Sequence, residues 1–388
     1  MARIFISTGE VSGDLQGALL IRALRRQAAE RGIELEILAL GGDRMAAAGA
    51  TLLANTTAVG SIGIFESLPY LLPTLTIQRR AKAYLKQHPP DLVVMIDYLA
   101  PNLAMGQFAR KELPGVPTVY YIAPQEWVWS AGAGNTRRII RISDEIFAVF
   151  PEEASYYEKW GGNVTYLGHP LVDQAANFPS REVARQTLGI PPEQVAIALL
   201  PASRRQEITY LLPVMAAAAQ RIQAAMPKAH FWVPVSQEAF RPALTQTIER
   251  FGLRATLVEP SSQMAIAAAD LALTKSGTVN LEIALMNVPQ VVVYRLNPLT
   301  AWIARNLLKF SIPYMSPTNL VLMEDIVPEF LQDLATPEAV SSKALTLLQD
   351  DDARQQMLAG YQRVQQAMGE RGVCDRLATR LLEIMAAK

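Results

Sequence analysis

The chain has 388 residues, 50% of them hydrophobic and 19% charged, against ~25% charged in an average soluble protein. So much apolar surface demands burial and excludes a disordered chain. Lys plus Arg equals Asp plus Glu at 36 each, which excludes a global basic field for nucleic acid.

At ~100–200 residues per domain, two or three domains are expected. The N-terminal apolar run stops at Ser7, too short for a signal-peptide core. No stretch reaches the ~18 apolar residues of a membrane span. The single cysteine, Cys374, rules out an intrachain disulfide and suits a reducing cytoplasm. The histidines His88, His169 and His230 lie far apart and have no zinc-ligand spacing.

In chain order, short runs rich in Val, Ile and Tyr predict buried strands at 4–7, 35–41, 91–97, 118–123, 145–150 and 163–168. Helical patterns separate several of them; Leu20, Ala23, Leu24 and Ala28 share one face of a helix after Gly13. The pattern restarts with strands at 195–203, 229–235, 254–259, 270–276 and 290–295, with helices at 208–226 and 238–251. Pro170, Pro179, Pro191 and Pro192 accumulate between the two series, so domains are expected at 1–170 and 171–388. Beyond Pro337 the chain reads as helical. The fold class is α/β: two Rossmann-like, doubly wound parallel sheets facing a cleft. Ligands of such sheets bind outside the carboxyl ends of the strands, so the strand-to-helix turns are where chemistry is sought.

The first turn is Gly9-Glu10-Val11-Ser12-Gly13-Asp14. Its glycines, with Gly17, are spaced by four, unlike the G-x-G-x-x-G of dinucleotide sites. Glu10 and Asp14 would repel a pyrophosphate there; Glu10 and Ser12 suit sugar hydroxyls. The ordinary alternative is a helix start capped by Ser12 or Asp14. Asp97 follows four apolar residues at the end of a strand. There it would point into the cleft, partly desolvated, with a pKa raised toward the range of a general base; the alternative is a cap on the next turn. Trp127 and Trp129 either stack on a sugar or acyl chain or anchor a long loop.

In the second series, Ser203-Arg204 ends the first strand, and Lys275-Ser276-Gly277-Thr278 precedes a helix carrying Glu282. Small hydroxyl residues and Gly at a helix start make an anion site, and Arg204 supplies a fork for phosphate. Glu282 has the acceptors for ribose hydroxyls. Together they look like a nucleotide-diphosphate pocket. No Asp-x-Asp follows a strand, which disfavours a metal-dependent sugar-nucleotide site; Asp350-Asp351-Asp352 reads as a solvated cap. The segment 63–75 is apolar, broken by two prolines, and followed by Arg79, Arg80 and Lys82. It suits either a bilayer interface, through Ile64, Phe65, Leu71, Leu72 and Leu75 with Arg79 and Arg80 at the head groups, or a core helix after a kinked loop.

In order, these motifs resemble the lipid-A-disaccharide synthase family: GEVSGD at 9–14, GIFE at 63–66, Ile96-Asp97 with Asn102, Pro124 with Trp127 and Trp129, and GHPLVD at 168–173. LLPASR at 199–204 with Glu207, SGT at 276–278 with Glu282, Tyr294-Arg295, Asn319 and Gln332 complete the set. The resemblance runs over nearly the whole chain. It implies a GT-B glycosyltransferase that needs no metal or other cofactor. The implied reaction moves a diacylated glucosamine from UDP to a diacylated glucosamine 1-phosphate, giving a β-1,6-linked disaccharide. The implied location is peripheral, on the cytoplasmic face of the inner membrane.

The resemblance makes Asp97 the base, with Glu10, Ser12, Arg204 and Asn319 as further catalytic candidates. Donor binding falls to His169, Ser203, Arg204, Ser276, Gly277, Thr278, Glu282, Tyr294 and Gln332. The C-terminal helices are expected to pack back on the first domain or on a partner subunit in a homodimer. The sequence departs from the family pattern at Tyr98-Leu99-Ala100-Pro101, Ala202, Asn280 and Glu324. Glu324 replaces a basic residue; it either marks a changed acceptor preference or points to solvent. Competing readings are another UDP-sugar enzyme of the same fold, either a 2-epimerase, which needs more cleft carboxylates or histidines than this chain offers, or a glycosyltransferase with a different lipid acceptor, and a non-catalytic nucleotide-sugar or membrane-binding protein. A nicotinamide dehydrogenase lacks its glycine spacing.

Overall fold

The computed structural model describes residues 2–57, 71–130, 132–259, 262–297, 300, 302 and 312–387. The chain forms two compact units. One comprises Met1–Asp173 with Met368–Lys388, the other Gln174–Ala367. The expected division at 170/171 counted the C-terminal end with the second domain, its helices packing back on the first domain or on a partner; in the structure the last helix belongs to the first unit.

The first unit alternates strands and helices: β1 (Ala2–Ser7), α1 (Val11–Glu30), β2 (Leu35–Gly41), α2 (Asp43–Ala47), β3 (Thr51–Asn55), α3 (Leu71–Gln87), β4 (Leu92–Ile96), α4 (Leu99–Glu112), β5 (Thr118–Tyr121), α5 (Gly134–Ile142), β6 (Glu145–Ala148), α6 (Pro151–Lys159) and β7 (Val164–Tyr166). Its sheet has the order β3-β2-β1-β4-β5-β6-β7, parallel throughout, with Ile6 opposite Ala39 on one side and Val94 on the other. β4, β5 and β6 are buried along their whole length, as expected of a sheet covered on both faces. Strand β3, which lacks a long apolar run, went unpredicted, so the strand ending before Asp97 is the fourth rather than the third.

The short helix α7 (Leu171–Ala175) leads into the second unit: α8 (Arg181–Leu188), β8 (Val195–Leu200), α9 (Arg205–Tyr210), α10 (Leu212–Ala225), β9 (Ala229–Pro234), α11 (Arg241–Phe251), β10 (Ala255–Val258), α12 (Ser262–Ala268), β11 (Leu271–Lys275), α13 (Val279–Leu285), β12 (Gln290–Tyr294), α14 (Pro317–Leu320), β13 (Glu329–Leu331), α15 (Pro337–Gln349) and α16 (Asp351–Ala367). Its sheet repeats the winding as β10-β9-β8-β11-β12-β13. The helix expected at 208–226 divides at Leu211, where Pro213 sits in the first turn of α10 and cannot donate to the preceding turn. Asp350 accepts the N–H groups of Asp352 and Ala353 and caps α16, the ordinary reading of that acidic run.

The last helix, α17 (Val373–Ala386), lies against α1. Asp173 holds its start by accepting the N–H groups of Gly372, Val373 and Cys374 at 2.6, 3.2 and 2.9 Å. The outgoing and returning segments run side by side at Gly168 and Gly369. The His169 N–H donates to the Met368 carbonyl at 2.7 Å, and a Cβ on Gly168 would lie 2.7 Å from that carbonyl oxygen. Both glycines have φ near +90°, so no side chain fits there.

Candidate active site

In both units the winding reverses beside the first strand, between β1 and β4 and between β8 and β11. A switch point of this kind opens a crevice at the carboxyl ends of the two strands. In the first unit the crevice is bounded by residues 8–10 and by Asp97-Tyr98. The glycine spacing of the first turn is a packing device. A Cβ on Gly9 would lie 2.0 Å from the Tyr98 ring, one on Gly13 would lie 1.9 Å from the Thr8 hydroxyl, and one on Gly17 would lie 2.7 Å from the Met45 sulfur. Asp14 turns inward and accepts the N–H groups of Gly42 and Met45 at 2.8 and 3.1 Å, capping α2. Glu10, at the N-cap of α1 with an extended backbone, and Ser12 remain half-exposed at the rim.

Asp97 and Tyr98 both have left-handed backbones, with φ of 47° and 54°, an uncommon state for non-glycine residues that concentrates at functional sites. The Asp97 N–H donates to the Ile122 carbonyl at 3.1 Å. Its carbonyl accepts from Asn102 Nδ2 at 2.7 Å and from the Tyr120 hydroxyl at 2.8 Å. Asn102 is fully buried and also bonds Ser7 on β1, tying the two strand ends together. Burial pushes the Tyr98 phenol up, opposed by a hydrogen bond with Thr74 of α3, while the nearby Glu10 charge adds to the rise.

Near the ends of β5 and β6 lies a second carboxyl group, which the sequence reading did not single out. Glu153 is buried and accepts from Ala123 and Val149 at 2.8 Å each and from Phe150 at 3.4 Å. Burial pushes its carboxyl up to about 8 against those three bonds, with the Asp97 charge as a smaller contribution. Trp127 packs against Phe150 and the core of this unit, so it anchors its loop. His169 belongs to this unit. Its ring is buried against Phe150, and its Nδ1 accepts the Leu171 N–H at 3.2 Å. Burial holds its pKa down at about 3, so the expected donor-binding residue is a neutral imidazole inside the turn that leaves the unit.

In the second unit, Glu207 of α9 gathers the end of β8. It accepts from the backbones of Ser203 and Arg204 at 2.6 and 3.0 Å. Its other oxygen lies 3.6 Å from Lys275 Nζ at the end of β11. Burial pulls the Lys275 ammonium down, Glu207 holds it up, and Arg204 adds to the lowering. Arg204 and Lys275 thus put two cations at adjacent strand ends. Tyr294, whose phenol is pushed up by burial, closes the group at the end of β12. The sequence placed Lys275 at the head of the Ser276-Gly277-Thr278 turn but gave its charge no role of its own.

The turn at 276–278 differs from the expected anion cradle. The Ser276 hydroxyl donates to the Met315 carbonyl at 2.6 Å, and the Gly277 N–H is taken by Asn280 Oδ1 at 2.9 Å. Asn280 is buried and also bonds Gln290 at 3.1 Å, which in turn bonds Tyr361. This accounts for the departure at 280: the amide belongs to a core network. Thr278 precedes α13, on whose first turn Glu282 stands half-exposed.

Asn319, expected as catalytic, spends its amide on the loop around it. It accepts from Ile326 and Val327 and donates to the Val327 carbonyl and to Glu329 at 2.7 Å. It shapes the 316–329 segment rather than presenting a free group. Gln332, with φ of 50°, accepts the Leu296 N–H at 3.3 Å. Glu324 is exposed and paired with Arg363 of α16, which holds its carboxyl below the usual range.

Of the expected membrane residues, Ile64 and Phe65 lie outside the described residues. Leu71, Leu72 and Leu75 are 52%, 76% and 52% exposed at the start of α3, and Arg79 and Arg80 follow on exposed positions. The inner face of the same helix is buried through Ala81 and Leu85. Among the described residues no helix is long and apolar enough to cross a membrane.

Two all-parallel, doubly wound sheets of matching winding, each with charged side chains at its switch point, define the GT-B class of fold. Solved structures bear this out. A UDP-GlcNAc 2-epimerase from Neisseria meningitidis bound to UDP-GlcNAc superposes with a TM-score of 0.64 at 14% identity, covering 99% of this chain and 100% of that one. MurG of Acinetobacter baumannii gives 0.59 at 15% identity over 99% and 100%. These likenesses establish the fold alone.

The sequence comparisons are narrower. Residues 4–382 match the lipid-A-disaccharide synthetase family. A lipid-A-disaccharide synthase of Gloeothece citriformis is 55% identical over 98% of this chain and 99% of its own length. That of Synechocystis is 52% identical over 98% and 97%. The chain belongs to the lipid-A-disaccharide synthase family and is a glycosyltransferase.

Proposed function

We propose that the enzyme joins UDP-2,3-diacylglucosamine to 2,3-diacylglucosamine 1-phosphate with inversion at the anomeric carbon, forming the β-1,6 disaccharide and releasing UDP. The observation that carries this reading is Asp97, held in a left-handed backbone at the β1/β4 switch point of a chain belonging to this family. Asp97 takes the proton of the acceptor's 6-hydroxyl as that oxygen attacks the anomeric carbon. The bond from that carbon to the UDP oxygen breaks, and the diphosphate leaves with the electron pair. Arg204, with Lys275 beside Glu207, meets the negative charge that grows on the diphosphate. Ser203, Thr278, Glu282 and Tyr294 line the same strand ends and suit the remaining phosphate and ribose contacts. Glu10 and Ser12 at the rim suit acceptor hydroxyls.

Both substrates carry acyl chains, and the exposed leucines of α3, followed by Arg79 and Arg80, support peripheral docking on an anionic membrane. Thr74, between those leucines, bonds the Tyr98 side chain and so links this helix to the Asp97 turn. The decisive experiment incubates purified enzyme with UDP-2,3-diacylglucosamine and acceptors with and without the 1-phosphate, and identifies products by mass spectrometry. A disaccharide formed only with the phosphorylated acceptor is expected. UDP-diacylglucosamine left intact, or epimerised at C2, would refute the reading.

A further inference from the structure

The carboxylate of Asp97 is a single methylene removed from its Cα, so the local φ and ψ fix the base from which it is aimed. That backbone is left-handed at Asp97 and again at Tyr98. Such a state persists only where surrounding bonds over-determine it. Three bonds do so here, one on the N–H and two on the carbonyl. The N–H is held by a main-chain carbonyl, that of Ile122. The carbonyl is held by two side chains, Asn102 Nδ2 at 2.7 Å and the Tyr120 hydroxyl at 2.8 Å.

We propose that Asn102 and Tyr120 are positioning residues that act through Asp97. The proposal rests on the reading of Asp97 as the base. Tyr120 lies within β5, fully buried, and burial keeps its phenol protonated and therefore a donor. Asn102 spans the switch point. Its Nδ2 also serves the carbonyls of Ser7 and Ile96, and its Oδ1 accepts from the Ser7 hydroxyl at 2.7 Å. With either donor removed, the Asp97 peptide can relax toward commoner backbone states and swing the carboxylate away from the acceptor hydroxyl.

Tyr120→Phe removes one hydroxyl and keeps the ring. One hydrogen bond of this kind is worth about a three- to tenfold effect, so kcat is expected to fall by that factor while KM for both substrates stays unchanged. In the Asp97→Asn background the same substitution is expected to cost nothing further. Tyr121→Phe is the control: its hydroxyl is buried with no hydrogen-bond partner among the described residues, and activity is expected to stay unchanged. Asn102→Ala is expected to repeat the Tyr120→Phe pattern with a larger factor. An equal loss from Tyr120→Phe in both backgrounds, a loss confined to KM, or no loss in the wild type would overturn the proposal and leave the base assignment standing. Wild-type turnover by Asp97→Asn alone would overturn the base assignment and this proposal with it.

Discussion

Arg204 and Lys275 stand at the ends of neighbouring strands and share Glu207 as their carboxylate neighbour. In the proposed reaction these two cations meet the leaving diphosphate without a metal ion. Activity in EDTA is therefore expected to equal activity in magnesium, and Arg204→Ala is expected to lose ~10²–10³-fold in kcat. Steady-state rates in the two buffers check both. His169 makes a different prediction. Burial lowers its pKa from 6.5 to about 3. Between those values the unfolded chain binds a proton that the folded chain does not, so this residue makes stability fall as pH drops through that window. Urea midpoints at pH 7 and pH 5 are expected to differ less in His169→Asn than in the wild type. The same reasoning from partners explains Glu324. Its carboxylate faces Arg363 rather than a phosphate site, so Glu324→Gln is expected to leave the preference for phosphorylated acceptor unchanged.

At the scale of elements, α3 has two contrasting faces. Gln78, Ala81 and Leu85 are buried on its inner side, while Leu71, Leu72 and Leu75 are exposed at its first turns. More than half of each of those three side chains is open to water, which is a poor solvent for them. Replacing all three with Ser is expected to leave the core unchanged and to release the protein from anionic vesicles. Co-sedimentation separates the two contributions: the arginine part weakens with salt and the leucine part persists. Equal binding by the triple variant and the wild type would remove α3 from the docking surface.

At the scale of the molecule, the first unit is completed by residues distant in sequence. Helix α17 buries Val373, Leu377, Leu381 and Leu382, and Arg380 pairs with Glu145 of β6 at 3.0 Å. Asp173 supplies the cap that starts the helix. Loss of a side-chain cap costs about 0.5–2 kcal/mol, so Asp173→Ala is expected to lower the stability of this unit by that amount. Truncation after residue 367 is expected to cost more, because apolar surface on α1 loses its cover. Thermal unfolding of the two variants checks the order.

The repeated βα pattern, the break near the prolines and the placement of Asp97 and Arg204 at strand ends were all legible in the sequence. Each depends on local information: runs of apolar residues with period two or 3.6, and a charge that interrupts them. The partners of those charges were not legible. Tyr120 reads as one more buried strand residue, Glu153 as an ordinary helix-start acid, and Asn319 as an active-site amide. Each role is set by a bond to a backbone group on another element. Whether the Gly277 N–H was open to a ligand likewise turned on one side chain three residues away and on how Gln290 holds it. Local periodicity determines where a side chain stands along an element. Which donors and acceptors it consumes is decided only when the strands are laid in order, because buried polar groups must pair with whatever the tertiary fold brings within reach.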